Sequence, residues 1–225
     1  MTDKGGMSLI ENTVSSVVIT AQAFNPSIFT ETWLAENGII APQDLTGTKV
    51  FSPGVAQFQT PKIQVLVIPP KMQITSQIHE STTLLTTASQ IAIKTVRLLP
   101  HTPYQGLGLN FDFFVTQPNG QEFNAYNRAL LGGNDYKLFQ EFSSQDAKFG
   151  RYLSKDHGGA RLKLDIKPVK AGPDKKDLLK FSFNYDHNVE NIDPGKRADA
   201  LIKFIETYDA LREHAETLVN LGITL

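Results

Sequence analysis

The chain has 225 residues, 22 Lys and Arg against 23 Asp and Glu, and a formal net charge of −1. That length buries a core without staples, and 40% hydrophobic content with 20% charge excludes wholesale disorder. Zero cysteines exclude thiol nucleophiles, disulfides, thiolate zinc sites and iron–sulfur clusters. The near-neutral balance argues against a chain-wide electrostatic grip on nucleic acid.

The start, MTDKGGMSLIEN, shows no secretory apolar region, so a cytoplasmic location is expected. The most apolar run, Val65 to Ile68, stops at Pro69-Pro70 and is far short of the roughly 20 residues that span a bilayer. Charge is unevenly spread: residues 1–118 hold 6 Lys/Arg and 7 Asp/Glu, residues 119–225 hold 16 and 16. The first half is thus about 11% charged and the second about 30%, against roughly 25% in a typical chain. Thr, Ser and Gln supply the polarity of the first half, as in Thr82-Thr83, Thr86-Thr87, Gln57, Gln59, Gln64, Gln73 and Gln77. A surface of that kind is cheaper to desolvate than one of Lys and Glu.

In chain order, residues 1–13 read as a flexible terminus and Val14–Phe24 as a β-branched strand that stops at Asn25-Pro26. Asn25 caps a helix with proline at its first position, running to the stop signal Asn37-Gly38. Val50–Thr60 and Ile63–Thr75 read as the two strands of a hairpin. A buried helix follows from Ser81, with Leu84, Leu85, Ala88, Ile91 and Ala92 at helical spacing. Tyr104–Thr116 alternates Leu107, Leu109, Phe111, Phe113 and Val115 with Gly106, Gly108, Asn110 and Asp112, the pattern of a half-buried strand. The order β-α-β-β-α-β over residues 14–116 is that of a split βαβ, ferredoxin-like module.

Residues 117–150 are turn-rich around a short helix at 122–131 and divide a charge-poor α+β module, 14–118, from a charged one, 119–225. In the latter, Arg161–Val169 and Leu179–Tyr185 alternate as antiparallel strands solvated on one side. A long helix from Pro194, capped by Asp193, closes the chain at about Leu221. Its residues Leu201, Phe204, Tyr208, Leu211, Ala215 and Leu218 step by threes and fours, an a/d seam. The fold class is α+β.

Three patterns bear on chemistry. Asp165-Ile166-Lys167 has the acid-x-lysine spacing by which restriction-type nucleases set a metal-binding carboxylate and a lysine on one strand face, with Asp156 as a further ligand. With 23 acids and 16 lysines, one or two such triplets arise by chance, and Asp174-Lys175-Lys176 is another. Asp186, His187 and Glu190 offer imidazole and carboxylate donors for a divalent metal. Adjacent strand residues point to opposite faces, however, so the simpler reading is a loop in which Asn188, Asn191 and Asp193 bond free backbone groups. Asp156-His157-Gly158-Gly159 likewise reads as a turn, and His79, His101 and His214 have no evident partner.

The segment Gln105-Gly106-Leu107-Gly108-Leu109-Asn110-Phe111 resembles the ribonucleoprotein motif of RNA-recognition folds, which implies bases stacked on an open sheet. It carries Gln105 at the basic position and Leu107 and Leu109 where the motif stacks aromatics. Lys155, Arg161, Lys163, Lys167, Lys175, Lys176 and Lys180 would form the basic patch of such a reading. Phosphate-binding, nucleophile-elbow, zinc-protease and dinucleotide motifs are absent. The expectation is a binding or assembly protein, a homo-oligomer or a subunit of a complex with a protein partner, needing no cofactor. The alternatives are a metal-dependent nuclease or hydrolase at Asp165 and Lys167, and an RNA-binding ferredoxin-like module.

Overall fold

The computed structural model describes residues 10–76, 82–118, 121–133 and 140–223. Strand β1 (Ile10–Ala21) is followed by helix α1 (Glu31–Glu36), then β2 (Thr46–Phe51), β3 (Ala56–Gln59), β4 (Ile63–Ile68) and β5 (Lys71–Ser76). Helix α2 (Thr82–Leu98), β6 (Tyr104–Val115) and α3 (Phe123–Leu131) lead to β7 (Arg151–His157), β8 (Ala160–Ala171) and β9 (Lys176–Asn188). Two helices end the chain, α4 (Arg197–Ile205) and α5 (Tyr208–Gly222). The class is α+β, and among the described residues no helix is long and apolar enough to cross a membrane.

All nine strands form one antiparallel sheet in the order β2-β3-β4-β5-β1-β6-β9-β8-β7. The charge-poor and charged halves therefore share a sheet, joined where β6 pairs with β9 from Gly106↔Asn188 to Val115↔Leu179. Alternation sends Val17 and Ile19 of β1, Leu107 to Val115 of β6, and Leu179, Phe181, Phe183 and Tyr185 of β9 to one face, where they are buried. Helices α2, α4 and α5 cover that face, and α3 packs against β9. The predicted a/d seam thus rests on the protein's own sheet: Leu201, Phe204, Tyr208, Leu211 and Ala215 are buried, and the Tyr208 ring meets Phe111 edge-on at 5.0 Å.

The β-α-β-β-α-β order expected over residues 14–116 is β-α-β-β-β-β-α-β, with every neighbouring pair antiparallel. Each of the two runs expected to form the hairpin is two strands. Ser52 breaks the first, its hydroxyl accepting from Val55 N, and Pro69-Pro70 turns the second so that Ile68 pairs with Lys71. The helix expected from Pro26 is a single 3-10 turn, capped as expected by Asn25 accepting from Ser27 N. It breaks at Phe29, and Thr30 caps α1, accepting from Trp33 N. The terminal helix is likewise two, interrupted at Glu206-Thr207, where Thr207 Oγ1 donates to Phe204 O at 2.7 Å. Strand β7 was not anticipated, and β1 starts at Ile10, inside the segment expected to be flexible.

Candidate functional site

Among the described residues no helix packs on the second face of the sheet, and cross-strand pairing arranges its side chains in rows. One row runs Gln59, Gln64, Thr75, Ser16, Asn110, Asn184, Lys163, Ser154 from β3 to β7. Seven of these eight residues are uncharged hydrogen-bonding types. They bond to one another: Asn184 Nδ2 donates to Asn110 Oδ1 at 2.6 Å, and Asn110 Nδ2 donates to Ser16 Oγ at 3.3 Å. On β5, Gln73 Nε2 donates to Thr75 Oγ1 and Lys71 Nζ to Gln73 Oε1, both at 3.2 Å. The middle of the face is shallow because Gly106 and Gly108 stand there. A Cβ on Gly106 would lie 3.0 Å from the backbone oxygen of His187, so glycine lets β9 approach.

Across β6 to β9 and on to β7, charges on this face occur as compensated pairs. Arg161 binds Asp156 at 3.1 Å, Lys163 binds Asp186 at 2.7 Å, and Lys167 binds Asp165 and Lys180 binds Asp112, each at 2.9 Å. Four of the seven cations expected to form a basic patch are thereby neutralised. The Lys180–Asp112 pair lies at the side of a cleft of about 520 Å³ walled by Val14, Phe114 and Leu178 and closed by the β8–β9 turn.

The proposed metal ligands do not converge. Asp156 and Asp186 flank Arg161 in one row of the open face, as both pair with it across the sheet. Asp165 pairs with Ser182, four residues along β9 from Asp186, which places it about 13 Å away along the strand. The Lys167 amine is held above its ordinary value by its hydrogen bond to Asp165 and by that residue's charge, so it stays a protonated cation rather than a base. Asp186 and His187 take opposite faces, as adjacent strand residues must. His187 stacks on Phe204 with ring centres 4.5 Å apart, and its Nδ1 lies 2.8 Å from Gly159 O.

Glu190 sits in the loop after β9, accepting from Gln105 Nε2 and Asn188 Nδ2. As the loop reading anticipates, Asn188 Oδ1 accepts from Glu190 N, and Asp193 Oδ1 accepts from Gly195 N. The main anchor of that loop, Arg197, was missed: it donates to the carbonyls of Ile192, Tyr104 and Glu190. Among the described residues, no group of three or more His, Asp or Glu could hold a metal ion. Leu107 and Leu109, the stacking positions of the RNA motif, are buried beneath the helices with Phe111, and Gly106, Gly108 and Asn110 are what the segment turns to the open face.

On the helix side, a histidine cluster escaped sequence reasoning. His214 of α5 and His157 at the end of β7 stack in parallel with ring centres 3.9 Å apart, and Tyr185 Oη lies 2.8 Å from His214 Nδ1. Burial lowers the His214 pKa below 6.5, and the charges of His157 and Lys155 lower it further. Burial raises the Tyr185 hydroxyl. Parallel stacked rings cannot both aim nitrogens at one ion, so the cluster is a packing contact sensitive to protonation. His101 is exposed, and His79 lies outside the described residues. No protein-family model matches this chain, and no curated protein matches it.

Proposed function

We propose that this chain is a non-catalytic binding and assembly protein, a cytoplasmic subunit of a larger complex that docks a protein partner on the uncovered face of its sheet. The observation that carries this reading is the neutral row from Gln59 to Asn184, unbroken across β3, β4, β5, β1, β6 and β9. Amides and hydroxyls lose less on leaving water than Lys or Glu do, and they offer donors and acceptors to an incoming surface. Nine strands at about 4.8 Å spacing make a face about 38 Å across, so about 20 Å of strand length offers the roughly 800 Å² per partner of a standard interface.

Two other readings draw less support. Metal-dependent hydrolysis at Asp165 and Lys167 would need a second carboxylate within reach, and Asp156 and Asp186 are both engaged with cations. An RNA-binding ferredoxin-like module would need aromatics at the motif's own positions on the open sheet, where β6 presents Gly106, Gly108 and Asn110, with Phe114 set apart in the cleft and Tyr152 at the sheet edge.

The test is to purify the native chain, weigh it by light scattering, and compare Gln64→Lys and Gln73→Lys. The native chain should travel with a stoichiometric protein partner or with further copies of itself. The added charges should release that partner while the melting temperature holds. A single chain with no partner, unchanged by either substitution, would end the assembly reading.

A further inference from the structure

Strand β7 ends the sheet, and its outer side has no neighbour among the described residues. Gly158 and Gly159, at φ +58° and +80°, make a two-residue hairpin turn closed by the pair His157↔Ala160. The closing pair of such a turn exchanges both main-chain hydrogen bonds. Alternation then aims the N–H and C=O of His157, Lys155, Leu153 and Arg151 at β8, and those of Asp156, Ser154 and Tyr152 outward.

The two edges of the sheet are treated differently. At the far edge, β2 is broken by Gly47 at φ +65° and its pairing jumps between Thr46 and Val50, a device that blunts an edge. Strand β7 pairs without interruption from Arg151↔Ile166 to His157↔Ala160. It also exposes Tyr152 at 63% and Leu153 at 53%, neighbours on opposite faces of the strand.

We propose that two copies of this chain join at β7, pairing antiparallel about a twofold axis at Ser154 and doubling the sheet. A twofold axis normal to a sheet keeps each residue on its face, so only positions of equal parity oppose one another. An axis at Leu153 would set Arg151 against Lys155 of the second copy twice over, and like charges directly opposite are destabilising. An axis at Ser154 sets Tyr152 against Asp156 of the second copy, hydroxyl to carboxylate. Asp156 meets Arg161 through Oδ1 and can receive the hydroxyl on its other oxygen, since its side chain is 89% exposed.

The same axis lays the stem of Lys155 along Leu153 of the second copy, covering an apolar side chain while the ammonium stays in water. Three residue pairs then exchange two main-chain hydrogen bonds each, using the outward groups of Tyr152, Ser154 and Asp156. A seven-residue strand makes a contact smaller than a standard interface, so association falls in the weak, concentration-dependent range. This inference rests on the assembly reading and names a second copy as one partner, at a place separate from the open face.

The chain has no cysteine, which makes cross-linking clean. In a hydrogen-bonded antiparallel pair the opposed Cα atoms lie about 5.5 Å apart, within disulfide reach. Ser154→Cys should therefore give a covalent dimer under mild oxidation, whereas Leu153→Cys and Lys155→Cys should stay single chains on a non-reducing gel. Ser154→Pro removes an outward N–H and no main-chain bond to β8, and the bond its hydroxyl gives Leu162 O at 3.0 Å is lost equally in Ser154→Ala, which serves as its reference. Against Ser154→Ala it should leave the melting temperature in place and raise the dissociation constant at least tenfold by sedimentation. Ser154→Cys cross-linking no better than Lys155→Cys, cross-linking at Leu153→Cys in its place, or a single chain throughout the micromolar range would each overturn the proposal. Loss of β7 pairing with a partner still held through Gln64 and Gln73 would leave the assembly reading standing. Loss of that partner with Ser154→Cys still cross-linking would do the reverse.

Discussion

Asn127 offers a stability test whose magnitude follows from its surroundings. It is fully buried in α3, and its side chain pairs with a backbone rather than with another side chain. Nδ2 donates to Phe149 O at 2.9 Å, and Oδ1 accepts from Phe149 N at 2.7 Å. This clamp sets the residue before Gly150, where an added Cβ would lie 2.7 Å from Ile166 O, and so sets the start of β7. Asn127→Ala removes both bonds, at about 1–3 kcal/mol for each buried group deprived of its partner. Alanine regains about 0.6 kcal/mol as the better helix former, leaving a net loss of about 3 kcal/mol. With a urea slope of about 2–3 kcal/mol/M, the midpoint should fall by about 1–1.5 M. Asn127→Asp keeps an acceptor for Phe149 N but turns a carboxylate oxygen toward Phe149 O, so at neutral pH it should lose at least as much. A midpoint for Asn127→Ala within about 0.3 M of the parent, at unchanged slope, would refute the clamp as a source of stability.

Phe204→Ala should cost about 3–5 kcal/mol in the same assay, since the ring is 6% exposed and stacked on His187. Asp165→Ala removes a half-exposed partner of Lys167 and should shift stability by no more than about 0.5 kcal/mol. Neither it nor the parent should cut DNA or RNA with Mg²⁺ or Mn²⁺, and cleavage lost in the variant would sink the non-catalytic reading. His214 has a folded pKa below 6.5, so the unfolded chain takes up its proton first as the solution is acidified. Stability should be full above pH 6.5 and decline as pH falls through the folded pKa, and His214→Gln should flatten that window in urea midpoints taken on either side of it.

Strands with a one-sided apolar pattern were legible in the sequence, and elements whose pattern is shared by two structures were not. Leu107 to Val115, Leu162 to Ile166 and Leu179 to Tyr185 alternate because one face meets helices and the other meets water, and β6, β8 and β9 appear there. Strand β7 is exposed on both faces along most of its length, so RYLSKDH carries no period to read. In Ile63–Thr75 a signal was present and overlooked. Buried positions run Ile63, Val65, Val67 and then Met72, Ile74, Ser76, so parity switches at Pro69-Pro70 as a two-residue turn requires. The break between α4 and α5 left no such mark, because the step from Phe204 to Tyr208 keeps the a/d spacing across Glu206 and Thr207.

The polar faces of β6, β8 and β9 were likewise readable strand by strand, but which strands adjoin was not, and adjacency decides the chemistry. Lys163 and Asp186 are 23 residues apart in sequence and 2.7 Å apart across β8 and β9. Without that pairing, seven cations look like a nucleic-acid patch. With it, four cations of the open face meet four carboxylates. The contrast in charge between the halves of the chain then becomes two routes to a surface of little net charge: amides and hydroxyls around Lys71 on β3, β4, β5 and β1, and ion pairs on β6, β9, β8 and β7. The routes differ in what a docking partner must displace. Covering an ion pair strips water from two charges, and their attraction does not reliably repay it, whereas a glutamine amide needs only new hydrogen bonds. A partner on this face should therefore centre on the Gln59, Gln64 and Gln73 side and meet the paired charges at its rim. Gln64→Lys should then weaken docking more than Asn184→Lys, and an effect of the opposite order would move the centre of the site to the charged half.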